Sequence, residues 1–200
     1  MGMNGSGCMR LATIGRTLGA GALATLLAAG AAADGALDVD ADDFGCISEM
    51  TPVRGFYVGN LLGDLDATLA VARSEDGGTY PPGSVVQLVP TEAMVKHPEG
   101  YNAATRDWEF FELDPSPEGS AIRVRGFADV VNRFGGNCFA CHVKAEPKWD
   151  MICETGHGCD PIPLTADMTR VLQKADPRCD TSKALTPEDI ELLKALGAAG

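Results

Sequence analysis

CFACH, residues 138 to 142, sets two thiols three positions apart with an imidazole directly behind the second. Residues of these types at this spacing can tether a haem, form half of a zinc site or act as a thiol redox pair. In a c-type haem, two thioethers join the vinyl groups of the macrocycle to two cysteines, and the next residue presents an imidazole to the iron. One helical turn of Cys-x-x-Cys-His brings Cys138 and Cys141 to one edge of the porphyrin and His142 beneath its centre. A structural zinc site needs a second ligand pair at matched spacing, for which Cys153, His157 and Cys159 are the candidates. A thioredoxin-type pair needs a preceding strand and a parallel sheet, whereas Gly135-Gly136 and an apolar-periodic segment precede this motif. The motif favours one covalently attached haem c, with His142 as the iron ligand.

The surrounding chain sets the conditions for that chemistry. Residues 1 to 33 carry Arg10 and Arg16, no acidic residue and the apolar run LGAGALATLLAAGAAA ending at Ala33. A basic start, a short apolar stretch and a small-residue exit predict a cleaved export signal. The run falls short of the roughly 20 residues a spanning helix needs, so a membrane anchor is the weaker reading. Cys8 precedes the run and leaves with it. Cleavage leaves residues 34 to 200 and moves the formal charge from 16 − 28 = −12 to 14 − 28 = −14. Such a chain repels nucleic acid and anionic membrane surfaces and attracts a basic redox partner protein. The expected location is periplasmic or secreted.

Six of the seven cysteines survive cleavage, in a compartment where free thiols seldom persist. With Cys138 and Cys141 assigned to haem, Cys46, Cys153, Cys159 and Cys179 form an even set with three possible pairings. Cys153 and Cys159 bracket the tight stretch ETGHG and can pair locally, which leaves Cys46 for Cys179.

The elements that must hold the motif read as a single α+β domain over 34–200. DGALDVDADDFG (34 to 45) is acidic and small, which predicts a flexible leader. Leu62, Leu65, Leu69 and Val71 recur at helical spacing between Leu61 and Arg73, behind Asp64. SVVQLV (84 to 89) and DWEFFEL (107 to 113) predict strands. DPSPEG, including Asp114-Pro-Ser-Pro, predicts the turn into AIRVR (121 to 125) and so an antiparallel hairpin. Phe127, Val130, Val131 and Phe134 at i, i+3, i+4, i+7 predict a helix leading to the motif. In LTPEDIELLKAL, Thr186 predicts an N-cap, Pro187 the first helical position, and Ile190, Leu193 and Leu196 an apolar side. Residues 151 to 200 thus form a disulfide-stiffened helical tail.

The chain resembles the cytochrome P-460 family, which includes the cytochromes called c′-beta, in four segments that cover about half of residues 34–200. They are YPPGSVVQL (80 to 88), AMVKHPEGYNAATRDWEFFEL (93 to 113), NCFACH (137 to 142) and WDMIC (149 to 153). The resemblance implies a mainly antiparallel β-sheet with a few short helices, a haem near its edge, His142 as proximal ligand, an open or apolar distal side, and often a homodimer. It further implies binding of NO or a related nitrogen-oxide ligand. The family's hydroxylamine-oxidising members cross-link the haem to a lysine on the strand after a Gly-Ser/Thr-Val start. Here that strand is Gly83 to Leu88, and Leu88 stands at the lysine position, which leaves enzymatic oxidation of hydroxylamine or NO as an alternative. Lys96 falls on a later strand.

A second strong iron ligand would instead make a six-coordinate electron carrier. His97, His157, Met94, Met151 and Met168 are the candidates. Against that, His97 before Pro98 reads as a solvated loop residue, His157 falls in the disulfide loop, and methionines commonly fill cores. Strand alternation sends Trp108 and Phe110 to one face, where they are candidates for an apolar distal pocket, and Phe111 to the other.

Overall fold

The computed structural model describes residues 35–180 and 185–198, so the export signal expected over 1–33 lies outside the described residues. Strands β1 (Thr51–Val53), β2 (Phe56–Asn60), β3 (Ser84–Gln87), β4 (Glu92–Lys96), β5 (Trp108–Ser116) and β6 (Gly119–Gly126) form one sheet. They lie side by side in sequence order, antiparallel throughout. Arg54 and Gly55 join β1 to β2 with φ 50° and 139°, the positive values that match a two-residue turn to strand twist. Among the described residues four short α-helices accompany the sheet: α1 (Leu65–Ala72), α2 (Cys138–His142), α3 (Ala166–Lys174) and α4 (Pro187–Ala198). The α+β class with a mainly antiparallel sheet is thus observed. No helix among the described residues is long and apolar enough to cross a membrane.

Both faces of the sheet are covered, because side chains alternate along each central strand. Val86 of β3, Met94 of β4, and Trp108 and Phe110 of β5 enter one core with Tyr80, Val130, Met151 and Ile152. Val85, Ala93, Val95, Phe111 and Leu113 face the other way, against Val39 and Phe44. The motif belongs to the first core: Cys138 and Phe139 pack against it.

Where the N-terminal stretch 34–45 was expected to be a flexible leader, its described residues cover the second core. Val39 and Phe44 are buried, Arg125 donates to Val39 O, and Ser120 donates to Phe44 O. Two apolar side chains among the acidic ones suffice to dock the segment, and Cys46 fastens its end to Cys179. The second disulfide joins Cys153 to Cys159, so both bonds match the pairing that spacing favours.

Three further expectations give way to local chemistry. Phe127 to Phe134 is a loop, not a helix. Asn132 Oδ1 accepts from the amides of Phe134 and Gly136, and Gly135 takes φ 79°, so an Asn-centred turn replaces the helical bonds. Of its four apolar residues Val130 is buried, while Val131 and Phe134 stay exposed. Asp114-Pro-Ser is not a turn either: β5 runs through Ser116, with Pro115 opposite Ser120 near the sheet edge, and the turn is Pro117-Glu118. α4 has the expected cap, with Thr186 Oγ1 accepting from Asp189 N and Asp189 Oδ2 accepting from Thr186 N. The buried residue of this helix, however, is Asp189, with Leu192, Leu193 and Leu196 half-buried. The Asp189 carboxylate pairs with Lys174 and Arg170 of α3, Lys174 above all holds it far below the usual range, and Ile190 is left exposed.

Candidate functional site

The motif forms α2 because Asn137 caps it, accepting from Ala140 N through its side-chain oxygen. Asn137 Nδ2 also donates to Ala128 O, and Cys138 N donates to Val130 O, so the turn is tied to the loop before it. Residues three and four apart on a helix share a face, which brings Cys138, Cys141 and His142 together. Both thiols are free and half-buried, although the four other described cysteines are in disulfides.

The His142 ring is held from two directions. Its Nδ1 lies 2.7 Å from Met151 O, and Phe110 packs against it at 5.4 Å between centroids. A carbonyl oxygen only accepts, so Nδ1 carries the proton and Nε2 carries the lone pair. Burial lowers the imidazole pKa, which the Met151 hydrogen bond opposes; the net direction favours the neutral ring. No hydrogen bond to His142 Nε2 occurs among the described residues. A neutral imidazole with Nδ1–H on a carbonyl and Nε2 free is the arrangement metal-ligating histidines adopt.

The alternatives fit less well. Cys153 and Cys159, the zinc candidates, are consumed in a disulfide, and His157 is stacked on Trp149 at 3.7 Å with Nδ1 donating to Ile152 O. A redox pair needs a lowered thiol pKa, but burial, followed by the charges of Glu92 and Glu112, pushes Cys138 up to about 12. The donor set therefore fits a c-type haem: two available thiols and a neutral imidazole on one helical turn.

The candidate sixth ligands lie elsewhere or are engaged. His97 is fully buried rather than solvated: Leu37 N donates to its Nδ1, its Nε2–H donates to Glu109, and Tyr101 stacks on it at 3.7 Å. Contacts distant in sequence override the loop signal of the following proline. Met94 and Met151 are core residues, and Met168 is half-buried on α3. Trp108 and Phe110 share a face as expected, and both are buried in the first core. Trp108 is fully buried, edge-on to Tyr80, and donates to Asp150 O.

Lys96, set aside above as a cross-link lysine, meets Asp150, which sequence alone did not single out, behind the site. Lys96 Nζ lies 2.8 and 3.0 Å from the Asp150 carboxylate oxygens, both side chains being 5 % exposed. The pair borders a cleft of about 540 Å³ lined also by Tyr80, His97, Arg106 and Asp107. Cys138, Cys141 and His142 do not line this cleft, so its connection to the motif runs through Asp150 and Met151. Leu88, at the expected cross-link position, is half-buried against the first core.

Glu92 and Glu112 stand directly opposite each other on β4 and β5, and the charges of both act on Cys138. Burial, then the Glu112 charge, pushes the Glu92 carboxyl up to about 7, against a hydrogen bond from Asn132. Unfolded, the same group titrates near 4.5, so between these values the folded chain binds the extra proton. The stability it contributes is present below about 4.5 and lost as pH rises through 7, on the order of 3 kcal/mol. Glu92→Gln is expected to flatten the decline in urea-unfolding stability across this window; an unchanged slope would assign the decline to another group.

Comparison with family models, with curated proteins and with solved structures finds no match for this chain.

Proposed function

We propose that the chain is an exported monohaem c-type cytochrome of the cytochrome P-460 type that binds NO or a related small nitrogen-oxide ligand. Cys138 and Cys141 supply the thioether sulfurs, and His142 Nε2 supplies the iron ligand. The observation that carries this reading is the pair of free thiols beside a neutral, oriented imidazole, in a chain whose other described cysteines are disulfide-bonded. Two disulfides also suit an oxidising compartment, which supports a periplasmic or secreted location. Val131, Phe134 and Val143, on either side of the motif in sequence, are exposed apolar residues for which a tethered macrocycle would supply cover.

When bound, the haem would supply an iron able to take up a small ligand. The chain's own part is to hold the His142 imidazole in place as its ligand, and Met151 O, Phe110 and the capped turn do this. Engagement of His97 by Leu37 and Glu109, and burial of Met94 and Met151 in the core, favour a five-coordinate iron over the electron-carrier reading. Lys96, held by Asp150, is not disposed to replace the lysine missing at Leu88, which favours ligand binding over hydroxylamine oxidation. A basic redox protein and a second copy of the chain are the proposed macromolecular partners.

The test is expression with the haem c maturation machinery, followed by denaturing electrophoresis with haem staining and mass analysis of the motif peptide. One haem retained on the peptide that contains residues 138 to 142 is expected. Haem lost on denaturation would reject the assignment.

A further inference from the structure

Among the described residues, five non-glycine positions have positive φ, and four of them form two successive pairs: Arg106-Asp107 (50° and 66°) and Asp150-Met151 (47° and 69°). Side chains with a Cβ seldom adopt this region, so each pair must be held by its surroundings. Lys96 at the end of β4 holds both. Its Nζ donates to Arg106 O at 2.6 Å and to both oxygens of Asp150, and Arg106 donates in turn to Pro147 O. Asp150 is fixed further by Tyr80 N on its carboxylate and by Trp108 Nε1 on its carbonyl. The residue presented by this clamped turn is Met151, whose carbonyl receives the His142 Nδ1–H.

We infer that Lys96 is a positioning residue for His142: its ion pair with Asp150 locks the left-handed turn that holds Met151 O on Nδ1–H, and thereby sets the donor strength of the imidazole. The inference rests on the haem reading above and deepens it. A strong Nδ1–H···O bond gives the ring partial imidazolate character, which stabilises ferric iron and lowers the reduction potential. Loosening the turn weakens that bond and raises the potential.

Direct electrostatics predicts something different, and this makes the clamp testable. Removing a buried cation by Lys96→Met lowers the potential by charge alone, whereas removing an anion by Asp150→Asn raises it. A positioning role raises it in both. The double variant Lys96→Met/Asp150→Asn leaves no orphaned buried charge, so it carries the test even where a single variant fails to fold. The experiment is redox titration of the haem-loaded parent, both single variants and the double variant, with the ferrous iron–histidine stretch read by resonance Raman. A raised potential and a lower stretching frequency in the double variant are expected. A haem-loaded parent whose double variant keeps both parent values would overturn this inference alone; a parent without covalent haem would overturn the haem reading and this inference together.

Discussion

Protein carrying Cys138→Ala and Cys141→Ala together is expected to emerge from haem c maturation with no covalently bound haem and an otherwise intact fold. Neither thiol takes part in a disulfide, so their removal leaves the Cys46–Cys179 and Cys153–Cys159 bonds in place. The loss in packing is modest, since both residues are half-buried and only Cys138 contacts the first core. Each single variant should retain at most one thioether and a reduced haem load. His142→Ala should keep the attachment points but lose the protein's iron bond, leaving Met151 O without its donor. Haem staining after denaturing electrophoresis separates these outcomes, and full covalent loading of the double-cysteine variant would show that the tether lies elsewhere.

The second large effect is structural. Replacing Cys46 and Cys179 with alanine opens a loop with a sequence separation of 133, which loop-closure entropy values at about 5 kcal/mol. The Cys153–Cys159 bond, with a separation of 6, is worth about 2 kcal/mol on the same basis. The longer bond matters more because domains of this size have only about 5–15 kcal/mol in hand. Part of its work is shared: Asp176 accepts from Ile47 N, and Arg178 bridges Asp176, Phe44 O and Pro90 O from a buried position. The variant should therefore fold at low temperature and unfold at far lower urea than the parent, whereas loss of the short loop alone should shift the midpoint less. Equal shifts for the two would contradict the loop-length argument.

Local chemistry made several parts legible in the sequence. The strand expected over 84 to 89, observed over Ser84–Gln87, was legible in the valine-rich run SVVQLV, α4 in its Thr-Pro start, and the disulfides in the tight loop between Cys153 and Cys159. The alternation of Trp108, Phe110 and Phe111 gave the correct faces of β5. What escaped depends on contacts distant in sequence or on a competing short-range bond. His97 looks solvated beside Pro98 until Leu37, Glu109 and Tyr101 close around it. Phe127 to Phe134 carries a helical period, but Asn132 captures the amides a helix would need. The site divides along the same line. The candidate residues Cys138, Cys141 and His142 lie within one five-residue stretch that the sequence displays directly, whereas Lys96 comes from one segment and the adjacent Asp150-Met151 from another, and only the folded chain brings them behind the imidazole.

The proposed histidine-held haem c that binds NO is tested by the absorption spectrum of the purified, reduced protein before and after addition of NO. A high-spin spectrum that shifts on adding NO is predicted, because His142 is the only axial ligand the proposal assigns. A low-spin spectrum indifferent to NO would contradict it and make the chain a six-coordinate electron carrier.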